Sequence, residues 1–126
     1  MAGERILVVD DNPLNVDLAR YVLEADGFIV DEAPDVEAAW AQLRACRPDL
    51  ALVDIQLPGV DGLTLVRAIR ASPELADLPV IAFTAYAMHG DEQRFLAAGC
   101  DGYLAKPIDV PTFAATVRAW LRPGPT

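Results

Sequence analysis

Aspartates follow two of the apolar runs in the sequence. Asp10 and Asp11 come directly after Ile6 to Val9, and Asp54 comes directly after Leu50 to Val53. A carboxylate at the edge of a buried strand is costly unless it is paired or bound to a metal. Two charges roughly 4 Å apart repel by about 4 kcal/mol at an effective dielectric constant near 20, so three clustered carboxylates need a compensating cation. Two candidates are visible: Lys106, and Mg²⁺ or Mn²⁺, because hard divalent ions prefer oxygen ligands.

A hydroxyl group and an ammonium group follow two further apolar runs. Thr84 follows Val80 to Phe83, and Lys106 follows Tyr103 to Ala105. Lys106 is the only lysine among the ten basic residues. One lysine in a chain that otherwise uses arginine indicates a need for a compact point charge rather than a planar fork. Taken singly, each acid could be structural and the lysine could be solvated, but five polar groups at the ends of four strands favour one site.

Helical patterns separate the apolar runs. Helix 1 is predicted to begin with Asn12 as its N-cap and Pro13 at its first helical position, and to stop at Gly27. Asp35 caps helix 2, which ends before Pro48. Apolar residues recur along helix 1 at helical spacing, namely Leu14, Leu18 and Val22.

The second half of the chain continues the same pattern. Helix 3 follows the turn Pro58 to Gly62, and helix 4 ends at Gly99. Helix 5 is predicted to pack three apolar residues inward, namely Phe113, Val117 and Leu121. With Phe28 to Val30 as the remaining strand, five strands alternate with five helices.

This alternation predicts a doubly wound α/β domain. Strands and helices of this length form parallel strands with right-handed crossovers, so helices cover both faces of the sheet. A run such as Leu50 to Val53 fits a central strand that is buried on both sides. In such sheets ligands bind outside the carboxyl ends of the strands, where the strand order reverses. The five polar groups are therefore expected at one edge of the sheet.

Length and composition limit the function further. The chain has 126 residues and a formal net charge of −9, with no stripe of lysine and arginine, so nucleic-acid binding is disfavoured. We expect one domain over residues 1–122, with 123–126 as a tail or the start of a linker. Every apolar run is too short to span a membrane and no signal peptide is indicated, so a cytoplasmic location is expected. Cys46 and Cys100 are predicted to be buried small hydrophobes.

Four segments together resemble the receiver domain of two-component response regulators, of the single-domain type. The segments are Val8 to Asn12, Leu52 to Gly62, Ala82 to Ala85 and Leu104 to Pro107. The resemblance covers residues 5–122, and the four segments occur in order at the ends of four different strands. It implies a flavodoxin-like five-stranded parallel sheet of order 2-1-3-4-5, the order of a chemotaxis receiver, with five helices on both faces.

The resemblance also implies a role for each site residue. Asp54 is the expected phosphoacceptor, and Lys106 is expected to pair with the phosphoryl group. Thr84 and Tyr103 resemble the pair of switch residues. The expected metal ligands are Asp10, Asp11, Asp54 and the backbone carbonyl of Gln56. The implied protein is a signalling module rather than a turnover enzyme, with Mg²⁺-dependent autophosphorylation and autodephosphorylation chemistry.

The implied partners are a histidine kinase or a histidine phosphotransfer protein, and a downstream protein target. The resemblance also allows a homodimer on phosphorylation, and no nucleic acid or membrane is expected as a partner. A free-standing regulator and a receiver from a hybrid kinase both remain open. His89 is expected to be a solvated loop residue.

Three other functions compete with this one. A phosphatase of the haloacid dehalogenase type would need Asp-x-Asp after strand 1, where this chain has adjacent Asp10 and Asp11. A nucleotide- or flavin-binding domain would need a glycine-rich turn there, and the acids would repel a phosphate. A degenerate receiver that acts only as an interaction module is disfavoured by the complete set of acids with Thr84 and Lys106.

Overall fold

The computed structural model describes residues 3–57, 60–84, 91–105 and 108–121. Strands and helices alternate along the chain, apart from one short hairpin. In order they are β1 (Arg5–Val9), α1 (Pro13–Ala25), β2 (Ile29–Ala33), α2 (Val36–Ala45), β3 (Leu50–Asp54), β4 (Gln56–Leu57), β5 (Val60–Asp61), α3 (Gly62–Ala71), β6 (Val80–Thr84), α4 (Asp91–Ala98), β7 (Gly102–Ala105) and α5 (Val110–Trp120).

Five of the strands form one parallel sheet in the order β2-β1-β3-β6-β7. Strands β4 and β5 pair only with each other, as an antiparallel hairpin. With the hairpin set aside, the sheet order is 2-1-3-4-5, so the predicted fold class and strand order are confirmed. The strand order reverses between β1 and β3, which is where a ligand site is expected in such a sheet.

Apolar side chains fill a core on each face of the sheet. On one face Val9, Val53 and Ala82 pack with residues of α2, α3 and α4. On the other face Ile6 and Leu52 pack with residues of α1 and α5. Because successive side chains of a strand point to opposite faces, the apolar run of β3 contributes to both cores.

The predicted caps form at the first two helices. The side chain of Asn12 accepts a hydrogen bond from the backbone N–H of Leu14 at 2.9 Å, with Pro13 as the first helical residue. The side chain of Asp35 accepts from the backbone N–H of Ala38 at 2.8 Å. Both caps fix the direction in which the chain leaves the edge of the sheet where β1 and β2 end.

One expectation about burial was wrong, and the apolar spacing along helix 1 does not by itself mark its packed face. On α1 only Val22 of the three spaced residues is buried, whereas Leu14 and Leu18 are 78% and 38% exposed. The helix instead packs through Val16, Ala19, Val22 and Leu23, because it carries more apolar residues than one packed face can hold. Cys100 is buried as predicted, but Cys46 is exposed. Cys46 follows the last turn of α2 in an extended conformation, so it leaves the packed face of that helix.

Two smaller points concern the packing of α5 and the length of the helices. Leu121 is half-buried and follows the end of α5 rather than lying within it, while Phe113 and Val117 are buried as predicted. Among the helices of the described ranges, none has the length and apolar character needed to cross a membrane.

Candidate functional site

Three carboxylates meet at the carboxyl ends of β1 and β3. These two strands are neighbours, and Val9 is paired with Val53, so Asp10 and Asp54 follow side by side. One carboxylate oxygen from each of Asp10, Asp11 and Asp54 lies within 4.8 Å of the others. Asp10 is 2% exposed and Asp54 is 4% exposed, whereas Asp11 is open to solvent. The predicted acidic cluster therefore exists, with two buried members and one at the surface.

Backbone turns hold the two buried carboxylates. The Oδ1 atom of Asp10 accepts a hydrogen bond from the N–H of Asn12 at 2.9 Å, and the Oδ1 atom of Asp54 accepts one from the N–H of Gln56 at 2.9 Å. The N–H of Asp10 also donates to the carbonyl of Ala33 in β2 at 3.0 Å. Aspartate side chains make such bonds to the backbone two residues on, which closes a turn at the end of each strand.

The hairpin of β4 and β5 shapes the chain that follows Asp54. Its register pairs Gln56 with Asp61, and Asp61 caps α3 by accepting a hydrogen bond from the N–H of Leu63 at 2.9 Å. The N–H of Gly62 donates to the carbonyl of Ile55 at 2.8 Å. Sequence reasoning missed this hairpin, and the sequence signal for it is the cap residue Asp61 shortly after Pro58 and Gly59. The hairpin brings the start of α3 against the end of β3.

The two switch candidates lie on adjacent strands. Thr84 ends β6 and is 2% exposed. Tyr103 lies in β7 opposite Ala82 and is half-buried, and its ring is tilted against that of Phe95 with 6.0 Å between centroids. Lys106, Pro107 and His89 lie outside the described residues. Ala105, the residue before Lys106, is paired with Thr84 at the end of the sheet.

The donor set fits a hard divalent cation. Three carboxylates within 4.8 Å supply oxygen atoms only, which Mg²⁺ and Mn²⁺ prefer. Such a cluster of like charges, two of them buried, is relieved when a cation joins it. Asp11 gives the cluster an exposed side, through which a hydrated ion can enter and keep part of its water.

An acidic cavity adjoins these carboxylates. It has a volume of about 170 Å³ and lies between the start of α1 and the end of β2. Four of its lining side chains are acidic, namely Asp10, Asp11, Asp17 and Glu32. The exposed face of the same helix, α1, carries Leu14, Leu18 and Tyr21, with Leu14 78% and Tyr21 74% exposed. We call these three residues the α1 stripe. Positions i, i+4 and i+7 share one side of a helix, so the stripe is continuous.

Comparisons with known proteins identify the same architecture and family. Residues 6–118 match the model of the response regulator receiver domain. The polar-differentiation response regulator DivK of Brucella anthropi is 43% identical over 116 residues, which are 92% of this chain and 94% of that protein. The chemotaxis protein CheY4 of Vibrio cholerae superposes with a TM-score of 0.89 at 27% identity, over 95% of this chain and 100% of that one.

A second structural relative carries a metal ion. It is the receiver domain of the sensor histidine kinase PA1611 from Pseudomonas aeruginosa, described with a magnesium ion coordinated in the active site cleft. Its TM-score is 0.84 at 36% identity, over 94% of this chain and 98% of that one. Sheet order, family match and close relatives all agree: the chain belongs to the response regulator receiver domains, the phosphorylation-dependent signalling modules of two-component systems.

Proposed function

We propose that this receiver takes a phosphoryl group on Asp54 from the phosphohistidine of a histidine kinase or phosphotransfer protein. The observation that carries the proposal is the meeting of Asp10, Asp11 and Asp54 at the reversal of strand order. We propose Mg²⁺, or Mn²⁺, as the cofactor, with those three carboxylates and the backbone carbonyl of Gln56 as its ligands. The magnesium ion in the related PA1611 receiver supports this assignment.

The residues of the chain divide the chemistry between them. A carboxylate oxygen of Asp54 attacks the phosphorus atom, the bond from phosphorus to the donor nitrogen breaks, and an acyl phosphate forms. The attacking carboxylate carries no proton, so the step needs no general base. A loose transition state needs mainly positioning and neutralisation of charge. A cation held by these carboxylates would supply part of that neutralisation, and we assign the rest to Lys106 and backbone N–H groups.

The same arrangement serves hydrolysis of the acyl phosphate, which resets the module. Water then attacks phosphorus and Asp54 leaves as the carboxylate, so the protein cycles between two states rather than processing a stream of substrate. We propose autophosphorylation from small phosphodonors by the same route. Steady multiple turnover of a phosphate ester would instead favour the phosphatase alternative.

We propose Thr84 and Tyr103 as the residues that transmit the phosphorylated state. The Thr84 hydroxyl hydrogen-bonds the phosphoryl oxygens and vacates space into which Tyr103 turns, which alters the face formed by α4, β7 and α5. A hydrogen bond to a charged group contributes roughly 1.5–3 kcal/mol, whereas moving an equilibrium from 1:99 to 99:1 takes about 5.5 kcal/mol. Thr84 therefore cannot carry the switch alone, and we assign the remainder to Lys106 and the backbone that follows Asp54.

We propose the outward face of α1 as the place where the phosphodonor docks. The α1 stripe lies on the helix that begins beside the acidic site, and Asp11, Asp17 and Glu32 line the cavity at that site. Exposed apolar patches with polar rims mark interaction sites. The acidic rim favours a donor whose apolar contact surface is bordered by lysine or arginine. Tyr21→Ser should then slow transfer from the protein donor and leave phosphorylation by acetyl phosphate unchanged; equal slowing of both would contradict this surface.

Intact-mass analysis with acetyl phosphate and Mg²⁺ tests the phosphoacceptor. The wild type should gain one phosphate, Asp54→Asn should gain none, and the exposed Asp77→Asn should behave as wild type. Excess EDTA should abolish the adduct. A phosphate that persists in Asp54→Asn, or that forms fully in EDTA, contradicts the assignment.

Thermal unfolding tests the metal ligands separately. A ligand at 100 times its Kd stabilises the folded state by about 2.7 kcal/mol, so Mg²⁺ should raise the Tm of the wild type. Asp11→Ala should raise the Tm without metal, because it removes a repelling charge, and should lose most of the Mg²⁺ effect. Equal Mg²⁺ shifts in the two proteins would place the ion elsewhere.

A further inference from the structure

Gly62 occupies a place at the end of β3 where no side chain fits. It is the first residue of α3 and is buried. A Cβ atom built on it would lie 2.9 Å from the Cα of Ile55 and closer still to the carbonyl oxygen of Asp54. Its φ is not among the positive values, so glycine is required here for space rather than for backbone conformation. Both obstructing atoms belong to the main chain and cannot rotate away.

A short series of hydrogen bonds connects Gly62 to the Asp54 carboxylate. The N–H of Gly62 donates to the carbonyl of Ile55 at 2.8 Å, which holds the start of α3 on the turn. The next residue in that turn, Gln56, donates its N–H to the Oδ1 of Asp54 at 2.9 Å. Moving the backbone of residues 54–56 therefore turns the carboxylate and shifts the main chain of Gln56.

We infer that Gly62 is a positioning residue for phosphoryl acceptance: the absence of a side chain seats α3 where it fixes both the Asp54 carboxylate and the Gln56 backbone. The inference rests on the proposed function of Asp54. A methyl group at residue 62 must separate α3 from the end of β3. Reacting groups and metal ligands lose function when they are displaced by a fraction of an ångström to about 1 Å. Mg²⁺ binding and phosphorylation should therefore be impaired even where the variant remains folded.

The primary test compares Gly62→Ala with Gly102→Ala. The control glycine is also crowded, since a Cβ there would lie 2.8 Å from Cε2 of Trp120, but the obstructing atoms belong to a side chain and the residue lies at the amino end of β7, away from the carboxylates. We would first choose conditions in which far-UV and near-UV circular dichroism show that both variants are folded. Mg²⁺ affinity and the initial rate of phosphorylation by acetyl phosphate are then measured under those conditions. Gly62→Ala should lose about tenfold or more in each quantity, and Gly102→Ala should stay within about twofold of wild type.

A second pair of variants keeps the glycine and loosens the helix start instead. Asp61→Ala removes the cap of α3, and Asp35→Ala removes the equivalent cap of α2. Both should lose similar stability, but only Asp61→Ala should weaken Mg²⁺ binding, by about threefold or more. Asp61→Asn, which still caps, should restore the affinity. If Gly62→Ala does not fold, the comparison of Asp61→Ala with Asp35→Ala decides whether the start of α3 positions the site.

The outcomes separate this inference from the proposed function. Wild-type Mg²⁺ affinity and rate in Gly62→Ala, or equal losses in the two cap variants, would overturn the positioning role while leaving Asp54 as the acceptor. A wild-type protein that takes phosphate elsewhere than Asp54 would overturn the proposed function, and the positioning role with it. Selective losses in Gly62→Ala and Asp61→Ala, with Asp54 as the labelled residue, support both.

Discussion

At the scale of single residues, three polar side chains of the described residues are almost fully buried, and all lie at one edge of the sheet. They are Asp10, Asp54 and Thr84, each 4% exposed or less. Burial of polar groups costs free energy that hydrogen-bond partners must offset, so three such groups at one edge of the sheet favour a site there over simple packing. Their shared position at the strand ends separates them from the apolar cores, where the same strands carry only aliphatic and aromatic residues.

Substitutions of Thr84 test the proposed switch. Thr84→Ala should still accept phosphate on Asp54 but leave a large unswitched population, because it removes one hydrogen bond worth roughly 1.5–3 kcal/mol. Thr84→Ser keeps the hydroxyl and should retain more of the response. Amide NMR spectra with and without beryllofluoride, read at Tyr103 and along α4, measure the populations. A full wild-type activated spectrum in Thr84→Ala would rule out coupling through the hydroxyl.

The two cysteines should differ in reactivity. Burial raises the pKa of the Cys100 thiol from 9.0 to about 11, so this thiol stays protonated at neutral pH and is hidden from reagents. Cys46 is exposed. Iodoacetamide should therefore modify only Cys46 in the native protein, and both cysteines after unfolding. Peptide mapping measures this, with Cys46→Ser as the control that should remain unlabelled when native.

The raised pKa of Cys100 also predicts a dependence of stability on pH. Between pH 9 and about 11 the unfolded thiol has lost its proton while the folded thiol keeps it. The folded state binds more protons there, so its stability falls as the pH rises through this window, by roughly 2 kcal/mol. Urea unfolding at pH 8.5 and 10.5 measures the loss, and Cys100→Ala should lose less. An equal loss in both proteins would assign the effect to other groups.

At the scale of elements, Arg70 joins α3 to the segments that lead into β6 and β7. From the last turn of α3 its guanidinium donates to the carbonyls of Gly99 at 2.8 Å and Leu78 at 2.5 Å, and it pairs with Asp101 at 2.9 Å. Asp101 also accepts from the N–H of Val80 at 2.8 Å, where β6 begins. One side chain thus bonds to two carbonyls and one carboxylate, which lie just after α4 and just before β6 and β7.

Arg70→Ala should destabilise the fold by about 2 kcal/mol or more, because partly buried carbonyls and a carboxylate lose a charged donor. Arg67 lies on the same helix and is exposed, so Arg67→Ala should change stability by less than about 0.5 kcal/mol. Urea unfolding measures both variants. Similar values for the two would show that the Arg70 bonds are replaced by water without loss.

Sequence patterns predicted the elements better than their contacts. The apolar runs and caps located five strands and five helices, because periodicity and capping depend on local chemistry. The hairpin of β4 and β5 was missed, because two-residue strands are too short for a periodic signal. The exposed face of α1 was missed too, since the spacing of Leu14 and Leu18 is the same for a core face and for an interface. Only the packing of α1 on the sheet distinguishes these cases.

The candidate site was predictable for a related reason. Strand ends converge in a parallel sheet, so polar residues that follow Val9, Val53 and Phe83 had to meet once the strand order was known. The sequence could not show which carboxylates are buried, because Asp10 and Asp11 are adjacent and only the turn at Asn12 separates their environments. Nor could it show the lack of space at Gly62, which depends on where α3 returns to the end of β3.

At the scale of the whole molecule, the charge is distributed unevenly. Residues 10–37 contain nine acidic residues and one arginine, so this segment carries most of the formal net charge of −9. It forms α1, β2 and the start of α2, together with two of the clustered aspartates. Association with a basic partner at this side should be fast at low ionic strength and slow markedly as salt is added.

The same segment places the α1 stripe inside a field of negative charge, and this has a consequence for the colloidal behaviour of the protein. At neutral pH the repulsion between like-charged copies opposes contact between their stripes, even though Leu14 and Tyr21 are more than 70% exposed. Near the isoelectric point of about 4.3 that repulsion vanishes. Light scattering should detect reversible association there and none at pH 7.

The variant Leu14→Gln/Tyr21→Gln should stay dispersed at the lower pH, with circular dichroism as the control for acid unfolding. Identical scattering from the variant and the wild type would locate the attraction elsewhere. If the stripe is responsible, the negative charge around it keeps in solution an apolar surface that the protein has to leave exposed for its partner. Loss of that charge then allows copies of the protein to associate through the same docking surface.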